Sequence, residues 1–117
     1  MYSAGHVKWA LALICIALML SGSVRAAELI EGKDVARKSL CLGCHAEKQK
    51  VVGPAFAEIA RRYDNTPQSY TYLINRIKNG GVGAWGAVPM PANKNNITED
   101  EIRKVIDWIF TMKTGER

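Results

Sequence analysis

Cys41-Leu42-Gly43-Cys44-His45 is the stretch that decides how this chain is read. Two thiols three positions apart, followed at once by an imidazole, make the pattern C-x-x-C-H. A CxxC pair serves structural zinc, a redox-active dithiol, a plain disulfide or the attachment of haem c, and composition separates them. A structural zinc site wants four Cys or His ligands, whereas residues 27–117 contain only Cys41, Cys44 and His45. A thioredoxin-like dithiol is expected beside a βαβ pattern, which is not found here. A disulfide leaves His45 without a role. Haem attachment uses all three residues: the thiols add across the two vinyl groups, and the adjacent imidazole ligates the iron from one side.

The N-terminal stretch reads as an export signal. Residues 9–20, from Trp9 to Leu20, are nearly all apolar, follow a polar start with Lys8, and lead into Ser21-Gly22-Ser23-Val24-Arg25-Ala26-Ala27. Small residues at Val24 and Ala26 suit a signal peptidase, so residues 1–26 are expected to be a cleaved signal peptide. A membrane span wants roughly 20 apolar residues, and this core falls short of that, so stable membrane insertion is not expected after cleavage. Cys15 lies inside the apolar core rather than at its end, which argues against a lipid anchor. The mature chain, residues 27–117, carries 14 basic and 11 acidic residues, a charge of +3. Such a balance suits docking to acidic protein surfaces; without a dense Lys/Arg stripe interleaved with aromatics, nucleic acid is not an expected partner.

The mature chain shows no repeat, low-complexity tract or linker and is expected to fold as one domain. Its patterning is helical. Thr98 and Glu101 form a capping-box signature, Glu99 and Asp100 favour the positive helix end, and Ile102, Val105, Ile106 and Ile109 recur at helical spacing, with Lys113 in the last turn. Thr66-Pro67 opens a second helix running through Leu73 and Ile77 to Asn79-Gly80-Gly81. Shorter helices are predicted over Asp34–Leu40 and Phe56–Tyr63. Gly80 to Asn96, rich in Gly, Pro and Asn, predicts an irregular loop, and strand-like alternation is absent. The fold class is therefore all-α. A domain of this size buries a limited core, and a bulky internal cofactor supplements it.

Met90 is the candidate for the second axial position. It lies 45 residues after His45, bracketed by Pro89 and Pro91 on the irregular loop, where a thioether is free of helical constraint. Met112, on the last helix, reads as packing. Met/His ligation fills both axial sites and raises the reduction potential.

With these residues in place, the chain resembles the small bacterial class I cytochromes c, most closely the cytochrome c-551 group. The likeness spans nearly all of the mature chain. Its motifs, besides Cys41, Cys44, His45 and Met90, are Val52-Gly53-Pro54-Ala55-Phe56, Arg76-Ile77-Lys78-Asn79-Gly80, Trp85-Gly86 and Pro89-Met90-Pro91. The resemblance implies about four helices wrapped around one covalently bound haem. It also implies roles: the Pro54 carbonyl accepting the free ring N–H of His45, Arg76 and Trp85 holding a haem propionate, and the Asn93 amide contacting the Met90 sulfur. Trp108 is implied as core on the last helix. Two positions depart from the family pattern. Ala36 stands where relatives commonly have an aromatic, leaving smaller side chains such as Val35 to meet the Trp108 helix. The run Pro91-Ala92-Asn93-Lys94-Asn95-Asn96 is one residue longer, with Ala92 in place of a frequent second proline.

The resemblance implies a monomeric, periplasmic, one-electron carrier that transforms no substrate. Its implied donor is a cytochrome bc1-type complex; its implied acceptors are a haem nitrite reductase, a cytochrome c peroxidase or a terminal oxidase. Lys48, Lys50, Lys78 and Lys94 are candidates for a ring that steers acidic partners. Two other readings share the motif: a haem-based gas sensor or peroxidase-like protein whose Met90 is labile, and a cytochrome subunit of a dehydrogenase.

Overall fold

The computed structural model describes residues 27, 28 and 30–114; the expected signal peptide, residues 1–26, lies outside them. Four helices carry the fold: α1 over residues 30–38, α2 over Phe56–Arg62, α3 over Pro67–Asn79 and α4 over Glu99–Thr111. Short 3-10 turns cover Cys41–Gly43 and Met112–Thr114. Among the described residues no strand forms; a single antiparallel bridge joins Gly81 to Met90. No helix among the described residues is long and apolar enough to cross a membrane.

The helix starts follow their capping chemistry. The Thr98 side chain accepts from the backbone N–H of Glu101, whose carboxylate accepts from the N–H of Thr98 at 2.9 Å, closing both halves of the capping box. At α3 the Thr66 side chain accepts from the backbone N–H of Ser69, with Pro67 as the first helical residue. At α2 the Glu58 carboxylate reaches back to the N–H of Ala55. Gly80, at φ 70, turns the chain out of α3.

Several boundaries differ from the sequence reading. The first helix starts before Asp34, which instead pairs with Arg37 one turn on, and it ends at residue 38. Leu40 then adopts a left-handed conformation, φ 63, that reverses the chain into the Cys41 turn. Tyr63 is already extended, so α2 stops at Arg62. Lys113 falls past α4, in the 3-10 turn, where it pairs with Asp64.

The core is the apolar stripe of α4, with Ile102, Val105 and Ile106 fully buried, packed against α2 and α3 through Phe56, Ile59, Leu73 and Ile74. Phe56 meets the Trp108 ring edge-on at 5.1 Å, and Tyr70 meets Phe110 likewise at 5.5 Å. Tyr70 also hydrogen-bonds Asp107, tying α3 to α4.

The α1–α4 crossing explains how the chain does without an aromatic at Ala36. Gly32 is buried so closely against α4 that a Cβ there would lie 2.2 Å from the Lys104 carbonyl oxygen and 2.7 Å from the Trp108 Cβ. Backbone contact at Gly32, with Val35 and Ala36 buried beside it, does what a large side chain would do at longer range. Lys104 and Glu31 close the edge of this crossing at 2.6 Å.

Candidate haem site

All eight residues expected to contact the cofactor border one cleft of about 1190 Å³, counting the space open to solvent. They are Cys41, Cys44, His45, Pro54, Arg76, Trp85, Met90 and Asn93, drawn from across the chain. Apolar residues from the helical core, among them Phe56, Ile59, Leu73, Val105 and Ile109, form its floor.

The motif folds as a helical turn. The N–H of Cys44 and that of His45 both donate to the Cys41 carbonyl, at 3.2 and 3.0 Å. Residues three apart on such a turn share a face, so both free thiols border the cleft. Burial pushes the Cys41 thiol above its ordinary value, the opposite of the activated thiolate of a redox dithiol. Among the described residues no three His, Cys, Asp or Glu side chains gather as metal ligands, so the zinc reading finds no partners.

His45 is buried, and its Nδ1 lies 2.7 Å from the Pro54 carbonyl oxygen. A carbonyl only accepts, so Nδ1 carries the proton and Nε2 keeps its lone pair for a metal. Phe56 stacks on one side of the imidazole at 5.2 Å. Gly53 presses on it too: a Cβ at that position would lie 2.5 Å from the His45 Cε1. The backbone holds this contact, because the Gly53 N–H donates to the Cys44 carbonyl at 2.8 Å.

Met90 is fixed through its backbone. Its N–H donates to the Gly81 carbonyl at 2.8 Å and its carbonyl accepts from the Gly81 N–H at 2.9 Å. The N–H groups of Asn93 and Lys94 then reach the Ile77 and Lys78 carbonyls, occupying acceptors that the end of α3 leaves open. Gly80 is required here, since a Cβ would lie 2.4 Å from the Met90 carbonyl oxygen. The Asn93 amide, expected on the Met90 sulfur, donates one of its two N–H groups to the Pro91 carbonyl at 2.9 Å. That acceptor is two residues back on the same turn, within easy reach of a short side chain; the amide braces the loop while Asn93 still borders the cleft.

One part of the rim is rich in donors. Arg76 reaches Tyr72 and the Gly80 carbonyl, and the rings of Tyr63 and Tyr72 lie 5.3 Å apart. The Arg76 guanidinium beside Tyr72 holds its phenol below the ordinary value. Trp85 lies on the same rim with the Arg62 guanidinium 4.4 Å from its ring centre. Tyr63, Tyr72, Arg62 and the seat made by Gly53 had no role in the sequence reading. The i,i+4 pair Tyr72–Arg76 is the one signal that pointed to this cluster.

The donor set fits haem c: two thiols, an imidazole with one nitrogen committed and one free, a thioether, an apolar floor and a cationic rim. Lys78, expected among the steering lysines, is paired at 3.3 Å with Glu99, which Arg103 also reaches at 3.0 Å, so its charge is partly compensated. Lys48, Lys50 and Lys94 are exposed and have no ion-pair partner among the described residues.

Comparison with known proteins agrees. A family profile described as Cytochrome c matches residues 29–113. Cytochrome c-552 of Nitrosomonas europaea is 39% identical over 97 residues, covering 83% of this chain and 88% of the relative. Cytochrome c-551 of Pseudomonas denitrificans is 34% identical over 82 residues, covering 70% of this chain and 98% of the relative. The crystal structure of wild-type Nitrosomonas europaea cytochrome c552 superposes with a TM-score of 0.64 at 42% identity, covering 69% of this chain and 99% of that one. The cofactor is covalent haem c with its iron, and the chain belongs to the cytochrome c family as a small class I member of the c-551 type, a monohaem electron carrier.

Proposed function

We propose that this protein is a periplasmic carrier passing single electrons between redox proteins, with Cys41 and Cys44 holding the haem and His45 and Met90 as its axial ligands. The observation that carries the reading is the commitment of His45 Nδ1 to Pro54, with Met90 clamped to Gly81 on the same cleft. Haem c supplies a one-electron couple at its iron when bound. The chain's own contribution is to hold ligands still. Phe56, Gly53 and the Pro54 carbonyl hold the His45 ring, and the bridge to Gly81 fixes the backbone of Met90. Arg76 and Trp85, both on the cleft, would compensate a haem carboxylate, and Asn93 holds the turn that follows Met90.

With His45 and Met90 as axial ligands both open positions of the iron would be filled, so we read the protein as a carrier rather than an enzyme. Residues 1–26 would be removed on export, leaving 27–117 as the mature domain, a monomer. Docking would use the exposed apolar collar at the cleft mouth, where Val52, Val82 and Val88 are 48–63% exposed, with unpaired lysines outside it. An acidic-rimmed face on a cytochrome bc1-type donor, or on a nitrite reductase, cytochrome c peroxidase or terminal oxidase, fits this pattern.

The test is the optical spectrum of the reduced haem-loaded protein with and without carbon monoxide. A spectrum that carbon monoxide leaves unchanged is expected. A ready shift would show a free axial position and replace the carrier reading with a sensor or peroxidase-like one.

A further inference from the structure

The loop that carries Trp85 has little of its own to hold it. Every residue from Gly80 to Pro89 is Gly, Ala, Val, Pro or Trp, so apart from the indole N–H no side chain there can hydrogen-bond. Gly81, Gly83 and Gly86 take positive φ values that cost glycine nothing and leave the backbone permissive. Its backbone ties are the bridge from Gly81 to Met90 at the base and a bond from the Gly83 N–H to the Gly86 carbonyl. Trp85 is 37% exposed and is not wedged into the core.

Arg62 supplies the missing anchor. It is the last residue of α2, a helix with four buried residues. Its Nη1 donates to the Ala84 carbonyl at 2.6 Å while the guanidinium lies 4.4 Å from the centre of the Trp85 ring. One planar cation therefore grips the loop twice, by a hydrogen bond to the backbone and by its face on the indole. Among the described residues this is the side-chain hydrogen bond made to residues 82–88.

We propose that Arg62 is a positioning residue for electron transfer: it clamps the 82–86 loop to α2 and so holds the Trp85 indole on the haem cleft. The inference rests on Trp85 facing a haem carboxylate. Arg62 acts through Trp85 and not by charge alone, which lysine at the same position separates, since it keeps the charge but loses the planar face.

The experiment compares haem-loaded wild type with Arg62→Lys, Arg62→Gln and Trp85→Phe, reading hydrogen exchange of the Trp85 indole N–H and the reduction potential against pH. Arg62 is exposed, so these chains are expected to fold. The clamp predicts indole exchange faster by about tenfold in both Arg62 variants, the equivalent of about 1.4 kcal/mol, and a shifted potential in Arg62→Lys despite its retained charge. Unchanged exchange in Arg62→Lys would overturn the clamp, and so would faster exchange with an unchanged potential. An unchanged potential in Trp85→Phe would overturn the reading of Trp85 itself, a failure distinct from one in which only the Arg62 variants are silent.

Discussion

Gly53 lies flat against the imidazole of His45, and the hydrogen bond between His45 Nδ1 and the Pro54 carbonyl is made by the very next residue. The seat and the hydrogen-bond acceptor of the ring are thus one dipeptide. Its position is fixed by the Gly53 N–H on the Cys44 carbonyl. Replacing Gly53 by Ala would put a methyl 2.5 Å from the ring carbon. Either the ring or the dipeptide must move, and the Pro54 bond is strained in both cases. Gly53→Ala is expected to lower stability by about 1–3 kcal/mol and to reduce the yield of haem-loaded protein. Thermal unfolding and the haem-to-protein ratio check it; native values for both would show that the seat is not tight.

Gly32 presents a contest between two effects of known size. Alanine in a helix interior is favoured over glycine by about 1 kcal/mol, whereas forcing an extra carbon into a packed contact costs about 1–3 kcal/mol. The obstacle is the Lys104 carbonyl, which belongs to a helix backbone and cannot swing aside. The steric term therefore wins. Gly32→Ala is expected to shift the denaturant midpoint downwards while leaving the haem spectrum unchanged, because Gly32, Lys104 and Trp108 do not themselves border the cleft. A more stable variant would mean that the helices separate freely at this point.

Steering should divide the lysines by their partners. Lys48 and Lys50 have no ion pair among the described residues, and Lys78 has Glu99. Lys48→Gln and Lys50→Gln, each made singly, are expected to slow association with an acidic redox partner about twofold at low salt, with the difference fading as salt is raised. Lys78→Gln should have a smaller effect. Stopped-flow rates across ionic strength decide it, and equal effects from all three lysines would refute the division.

Acid should reach α4 through its cap. The Thr98 backbone N–H and hydroxyl hold the Glu101 carboxyl below its ordinary value of 4.5. A carboxyl depressed in the folded state adds stability above the ordinary pKa, and that contribution disappears as pH falls through the lower, folded value. Glu101→Gln keeps part of the hydrogen bonding and cannot ionise. Its unfolding midpoint is expected to fall less than that of wild type between neutral pH and pH values below 4.5. Parallel pH profiles for the two proteins would remove Glu101 from the acid response.

Helix identity was legible in the sequence wherever local chemistry governs it. Thr98 with Glu101, and Thr66 with Pro67, satisfy donors within a few residues, so these starts need no tertiary information. The first helix was misplaced because its limits depend on contact with α4 at Gly32, and a glycine in sequence reads as a breaker rather than as a site of close approach. The bond from the Asn93 amide to Pro91 was not legible for a related reason. Which acceptor an amide finds depends on the path of a loop, and that path is set by bonds to the distant end of α3.

The sequence by itself determined the cofactor and its attachment class, since C-x-x-C-H is a statement about adjacent atoms, and it singled out Met90 from its proline-bracketed loop. Tertiary structure decided what surrounds those side chains: Gly53 against His45, Gly81 paired with Met90, Arg62 on Trp85, and Lys78 paired with Glu99. Each of these depends on a close approach between residues from 8 to 23 positions apart in the chain. Periodicity and capping report interactions within a few residues; contacts across a fold appear only when the packed helices bring their backbones together.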